Sequence, residues 1–542
     1  MAGRFRPGVR VAGVWLLIGL AALPSAARAA TIHVAPTGAD ANDGQSWQSS
    51  KQTVGAGLAA AAPGDQVWVA AGTYAECITL KAGVALYGGF SGGETGLDQR
   101  DWAAHPAILD GNKVGSVVTA PSGATASTRI DGFTIRNGIG VLSGGARCGG
   151  GIYCLSASPT IANNTITGNL ANGHGGGIFC SSASPAISNN LIQGNDTNNG
   201  YGGGIYCESS SAPSVSNNTI TGNAAQEGGG VYCTSSSPPI SNNVIAENIG
   251  GGIFCSNASP IILHNVIAAN SGGDNGKGIA CETQLSFYSS PRISNNWIKG
   301  NTGGGIGCFG QGTCSGLISS NVIAGNSGGI TGGGISCSCP NQTISNNTIV
   351  ENSARDGGGI CILAGGSALI SNNIVAFNSS GIWIGSTGSP TGHNNCVFNP
   401  DGYNYSASPG AGDISLDPRL VAVEYGAVHL NAGSPCIDTG YDVDVQAAEM
   451  DEDGEPRIQG AHVDIGADEF NGTTPPFAPS VVRVSPSGSD ANDGSSWVSA
   501  KLTLQAGVDA ASTTGGEVWV ASGTYNERIT LRPFAYLYGG CT

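Results

Sequence analysis

The stretch SPTIANNTITGN (158–169), a variable piece, GGGIFC (175–180) and SSAS (181–184) form one sentence, which the chain repeats from Pro159 to about Asn378. The cysteine of the GGGI-x-C phrase falls at Cys154, Cys180, Cys207, Cys233, Cys255, Cys281, Cys308, Cys337 and Cys361, in steps of 26, 27, 26, 22, 26, 27, 29 and 24 residues. A near-fixed period of this size marks a solenoid, a propeller or an array. Each period holds two or three short apolar runs, such as Ile161 with Ile166 and Ile178-Phe179-Cys180, between clusters of Asn, Gly and Ser. None is long or periodic enough for a helix. Three corners in such a period leave about 5 residues per strand, the usual length, and too few residues for a four-stranded blade of about 40. The sequence therefore predicts an all-β chain wound as a parallel β-helix solenoid.

Stacking coils about 4.8 Å apart turns identical residues into ladders. One ladder runs through the Asn-Asn pairs ending in Asn164, Asn190, Asn218, Asn243, Asn296, Asn347 and Asn373. A second runs through Asn169, Asn195, Asn223, Asn248, Asn270, Asn301, Asn326, Asn352 and Asn378. Asn tolerates left-handed backbone and its amide can bond the coils above and below, so both ladders belong at corners. The Gly triplets suit another corner, where φ is positive and backbones approach closely. The Ile, Val, Phe and Cys positions are expected to fill the interior.

These phrases resemble the right-handed parallel β-helix superfamily, the pectin-lyase-like fold, and in particular its secreted bacterial proteins with repeated β-helix motifs. The resemblance spans Thr31 to Phe470. It implies fold strongly and function weakly, since the fold hosts lyases, hydrolases, epimerases and adhesins.

Residues 1–29 read as a signal peptide: Arg4, Arg6 and Arg10 precede the apolar run Val11 to Leu23, and Ala27-Arg28-Ala29 is a small-x-small cleavage site. Residues 30–130 hold an N-terminal cap and the first coils. There Lys51 to Ala62 is expected to be a capping helix with Val54, Leu58 and Ala61 inward. DQVWVAAGTYAE (65–76) resembles a phrase recurrent in the same secreted proteins. Residues 131–400 are the repeat body and 401–470 the last coils with closing loops, ending in LNAGSPCIDTG, DEDGEPR and VDIGADEF. After a Pro- and Thr-rich linker, 471–480, the N-terminal unit returns over 481–542: Asp490, Asn492, Asp493, Trp519, Tyr525 and Glu527 match Asp40, Asn42, Asp43, Trp68, Tyr74 and Glu76. This reads as a second β-helix begun and cut short at Thr542, an expectation that a longer reading frame without coil phrases would overturn.

Charge and cysteines narrow the function. The net charge of −16 excludes a nucleic-acid binder, which needs a basic face. The acids concentrate in the tail, where Asp401 to Phe470 hold 15 Asp or Glu against two Arg. After the first apolar run nothing is long enough to span a membrane. Neighbouring coils would set ladder cysteines at disulfide distance but with parallel Cβ directions, so the nine are expected mainly as small apolar filler. Some disulfides, for example Cys148 with Cys154 or Cys308 with Cys314, and metal or redox chemistry remain as alternatives.

The catalytic search yields His174, Glu227 and Asp356. Polygalacturonase-like members of the resembled superfamily use an Asp cluster, a Gly-His-Gly phrase and Arg-x-Lys. Gly173-His174-Gly175 matches the His phrase, but no Asp pair or Arg-x-Lys accompanies it, so His174 is expected to be an exposed corner residue. A groove would have to combine acids from different faces, such as Glu227 with His174, or Asp356 beside Arg355. No cofactor is required. Asp451 with Asp453, or Asp40 with Asp43, offer hard oxygens for Ca²⁺, although Asp-Gly is also a turn signal. Two functions stay open: a secreted or cell-surface, monomeric, non-catalytic module contacting polysaccharide or another surface, or a divergent pectin-lyase-like lyase or glycoside hydrolase.

Overall fold

The computed structural model of the chain describes residues 29–541 except 273–276, 311, 364, 446–448 and 475. The signal peptide expected at 1–29 lies, but for its last residue, outside them. The chain is a parallel β-helix of three sheets with 14, 12 and 13 strands. One coil runs Ile152–Leu155, Thr160–Ala162, Thr165–Thr167, and the next begins at Ile178–Ser181. Like residues stack in register: Ile152 on Ile178, Ile161 on Ile187, Ile166 on Ile192.

The corners follow from backbone chemistry. The first Asn of each pair takes left-handed φ (56° at Asn163, Asn189 and Asn217), which frees its neighbour to point inward. Asn164 is 2% exposed, and its amide bonds to Asn190, whose amide bonds to Asn218. Asn265 and Asn321 continue this ladder. They follow His264 and Ser320, so a search for Asn-Asn pairs passes over them. The second ladder, from Asn169 to Asn378, is likewise continuous and runs on through Asn399 to Asn404. The slot before it is left-handed in every coil; Gly holds it at 168, 194 and 222, and Glu247, Ala269, Glu351 and Phe377 accept it elsewhere.

The interior is narrower in composition than expected. It holds the Ile and Val rows with Cys154, Cys180, Cys207, Cys233, Cys255, Cys281, Cys308 and Cys337 in one register. Cys361 is not in that row: it pairs with Ser336, and Ile362 takes the inward slot, because its phrase is GGGICI rather than GGGI-x-C. Phe179 and Phe254 are also not interior. Strand alternation turns them outward, where Tyr153, Phe179, Tyr206, Tyr232 and Phe254 stack at 5.2–5.5 Å between ring centres. One disulfide forms, Cys314–Cys339, joining successive coils; Cys148, Cys154 and Cys308, expected as partners, carry free thiols.

At the N-terminal end the helix α1, Val54–Ala60, covers the first coil with Val54 and Leu58 inward. Thr53 caps it, and the carboxylate of Glu76 accepts from the N–H groups of Val54 and Gly55, two donors a helix start leaves unsatisfied.

The acidic tail departs from the expected last coils. One irregular turn follows strand Cys396–Phe398, through bridges at Tyr405, Ala411 and Ile414. The chain then doubles back along the outer flank of the 13-stranded sheet. Asn295 donates to the carbonyls of Met450 and Asp451, Ser320 to Glu449, and Asn372 to the Tyr441 carbonyl, while Ala467 N–H donates to Thr348. The apolar side of this contact joins Val322, Val350 and Ala376 to Leu430, Ile465 and Ala467. Burying Val322, Val350, Ile374 and Ala376, the outward side chains of the late coils, against the tail favours the fold-back.

Residues 480–541 form a three-stranded parallel sheet (Ser480–Val484, Gly516–Ala521, Ala535–Cys541) with a second helix α2, Leu504–Thr514. The internal match is close: Asp490 and Glu527 hold the start of α2 as Asp40 and Glu76 hold α1. The unit docks on the body through Phe534 and Pro533 over Gly325 and Gly300, and through Lys299, which donates to the Thr513 carbonyl. Among the described residues no helix is long and apolar enough to cross a membrane.

Candidate functional site

The three catalytic candidates share one corner, the position just before each Gly triplet. His174 bridges to Tyr201 and Tyr201 to Glu227, so His174 and Glu227 lie two coils apart in a single row with a tyrosine between them, about 10 Å at the coil rise. Asp356 occupies the same row seven strands further along the sheet, about 34 Å from His174 at that rise. It pairs with Arg355 at 2.8 Å. The row cannot bring these groups onto one bond.

His174 is not the exposed residue its corner position suggested. It is half-buried, stacked on Tyr206 at 4.5 Å and on Tyr201 at 5.4 Å, with Nδ1 buried and without a hydrogen-bond partner. Burial pushes its pKa below that of a free imidazole, opposed by the nearby Glu208. It extends the aromatic stack, a role that suits a flat ring at van der Waals distance.

The calcium candidates are occupied by the backbone. Asp40 accepts from the N–H groups of Gln52 and Thr53 and from the Thr53 hydroxyl; Asp43 accepts from Gln45 N–H and the Ser49 hydroxyl. These donors hold both carboxyls below the ordinary carboxylate range. Asp451 is fully buried, and its oxygens accept from the N–H groups of Asp453, Glu455 and Glu469. Asp453 instead turns to His429, 3.0 Å away. The two aspartates expected as one ligand pair thus point to different places.

Two features that the sequence reading missed remain. The first is an open face on the 13-stranded sheet. Thr165, Leu191, Thr219, Val244 and Val266 stack in one outward row, and Thr167, Gln193, Thr221, Ala246 and Ala268 in the next. The face is uncharged along its length and ends at Trp297 and Lys299, where the C-terminal unit begins. Val244 is 40% exposed. The second is a cluster in the tail, where His429, Glu452 and Asp468 bring potential ligand atoms within 4.8 Å of one another. DEDGEPR and VDIGADEF carried the acids in plain sight, but nothing in AVHL (427–430) singled out its histidine.

Comparison with known proteins follows the same line. The family described as "Right handed beta helix region" matches over residues 117–286, 228–333 and 289–408, together more than half the chain. Among solved structures the chain is similar to pectate lyase Pel9A (15% identity, 81% of this chain and 96% of that one, TM-score 0.36). It is similar also to XylC in complex with xylose (11%, 72% and 87%, TM-score 0.38) and to the PL6 family alginate lyase AlyGC (13%, 87% and 65%, TM-score 0.36). No curated protein matches it.

Proposed function

The chain belongs to the right-handed β-helix family, and we propose that it is an exported, monomeric, non-catalytic module that lays a neutral polysaccharide along the open face of its 13-stranded sheet. The observation that carries this reading is the face itself: five successive coils present Thr, Gln and small aliphatic side chains without a charge, at the coil repeat. Hydroxyl, amide and aliphatic groups suit the alternating polar edges and apolar faces of sugars. Trp297 closes the far end, and aromatic rings make strong contact surfaces at little entropic cost. A net charge of −16 disfavours polyanions, so the ligand class is neutral. Export is supported by the basic, apolar and small-x-small succession of residues 1–29. The separation of His174, Glu227 and Asp356 along one corner supports binding without cleavage, because acid–base chemistry requires its groups within hydrogen-bond reach of one bond.

The test pairs retention with turnover. Purified protein is run on an array of neutral and acidic glycans, and the same glycans are assayed for new reducing ends and for unsaturated products, with and without Ca²⁺. Retention of neutral glycans that Val244→Glu abolishes, with no product, is expected. Products that vanish when His174, Glu227 or Asp356 is changed would overturn the non-catalytic reading. Retention unaffected by Val244→Glu would remove the face.

A further inference from the structure

Inside the folded-back tail, three segments that are distant in sequence converge on one point. His429 comes from strand Ala427–Leu430, Glu452 and Asp453 from the loop after Met450, and Asp468 from the closing segment. His429 Nε2 lies 3.0 Å from Asp453 Oδ2 and 3.6 Å from Glu452 Oε1. Asp468 lends one oxygen to the Leu430 N–H at 2.7 Å.

Glu452 is the unusual member. Its side chain is 3% exposed, yet neither carboxylate oxygen has a hydrogen-bond partner. The buried guanidinium nearby, Arg457, is no substitute: it donates to the carbonyls of Asp464, Gly466 and Ala467. Burying a carboxylate beside two more carboxylates, with no donor aimed at it, costs several kcal/mol unless a cation completes the site. The fold therefore prepares acceptors and leaves out the donor.

We propose that His429, Glu452 and Asp468, with Asp453 at the solvent edge, bind a divalent transition-metal ion. One imidazole nitrogen with carboxylate oxygens suits Zn²⁺ or Mn²⁺ better than Ca²⁺, which prefers six to eight oxygens. Oxygens and nitrogen about 2.0–2.2 Å from an ion stand roughly 3.3–3.5 Å from one another; His429 Nε2 and Glu452 Oε1 are 3.6 Å apart, and the three ligand atoms lie within 4.8 Å of one another. The half-exposed Asp453 marks the side from which the ion enters. The ion would staple the three segments that lie against the flank of the solenoid, a structural role separate from the open face.

The full-length exported chain, stripped by chelation and dialysed, is titrated with Mn²⁺ and followed by the loss of its free-ion paramagnetic resonance signal; Mn²⁺ avoids the thiols. Zn²⁺ and Ca²⁺ are titrated calorimetrically alongside. One Mn²⁺ per chain is expected, displaced by Zn²⁺, with a rise in thermal midpoint. Glu452→Gln keeps the shape and removes the charge, so it should fold, hold its midpoint without metal and weaken Mn²⁺ binding at least tenfold. Asp468→Asn, which retains the acceptor for Leu430 N–H, should do the same. No Mn²⁺ uptake, uptake unchanged in Glu452→Gln, or preference for Ca²⁺ over Zn²⁺ would each overturn the assignment.

Discussion

The backbone N–H and side-chain amide of Asn190 both donate to one atom, Oδ1 of Asn218, at 2.9 and 3.0 Å. Asn218 passes the arrangement on to Asn243 and also donates to the carbonyls of Ile187 and Ser216. A side chain thereby performs the work of a backbone ladder at a corner where strands cannot pair.

Asn218→Leu should be among the most damaging single changes in the body. It removes the Asn218 partner of the Asn190 N–H and of the Ile187 carbonyl in a buried site, while the Asn190 amide keeps the carbonyls of Ile161 and Ser188, and each unsatisfied group costs about 1–3 kcal/mol. A loss of several kcal/mol in urea denaturation is expected, with hydrogen exchange accelerating first in the two adjacent coils, since solenoid coils support only their neighbours. A loss below 1 kcal/mol would mean that the ladder is decorative.

Thiol chemistry should separate folded from unfolded chain sharply. Hydrogen bonding to the preceding thiol in the row, and then burial, push the pKa of Cys180, Cys207 and Cys233 far above that of free cysteine. Of the 14 free cysteines only Cys77 and Cys541 reach solvent. Ellman's reagent should titrate about two thiols in buffer and all 14 in denaturant, with the Cys314–Cys339 bridge accounting for the rest. Fast reaction of many thiols in buffer would contradict the packed row.

Lys299 gives a pH signature to the docking of the C-terminal unit. Burial lowers its pKa from 10.5 to about 8. Between those values the unfolded chain carries the proton and the folded chain does not, so this residue makes stability rise with pH from about 8 to 10.5. The full swing is on the order of 3 kcal/mol. Lys299→Met should remove the slope, measured as the difference between variant and parent in denaturation series at pH 8 and pH 10; parallel curves would refute it.

His174 should work in the opposite pH range and by the same physics. Its lowered pKa means that the unfolded chain takes up the proton first on acidification, so its contribution is full above the ordinary imidazole pKa and declines as pH falls toward the folded value. His174→Phe, which preserves the stack on Tyr201 and Tyr206, should flatten that acid limb and leave glycan retention intact. Imidazole proton shifts read by NMR provide the direct check.

The solenoid was legible in the sequence because each coil repeats its corner residues, and a corner is a local demand on φ: Asn163, Gly168 and Gly175 each announce a left-handed position. Facing was harder to read. Phe179 and Cys180 are adjacent apolar letters, and only strand alternation, with the register of Cys154 on Cys180, shows that one faces out and the other in. The tail was least legible. Its course depends on Thr348 meeting Ala467 and Asn295 meeting Asp451 across more than 100 residues, and no local pattern records such pairings. The same holds for the meeting of His429 with Glu452, whose chemistry exists only once the tail has folded back.

The fold-back has an evolutionary corollary. The tail is anchored on the coils near Asn295, Ser320, Thr348 and Asn372, and the cap sits on the first coil, so among the described residues the coils between Thr165 and Val266 meet the terminal structures through one ion pair, Glu247 with Arg532. Duplication or loss of one repeat unit in that stretch of the gene would lengthen or shorten the exposed face by one step and leave both terminal structures in place. The middle of the molecule is a length that selection can adjust in whole units, between two fittings that stay fixed.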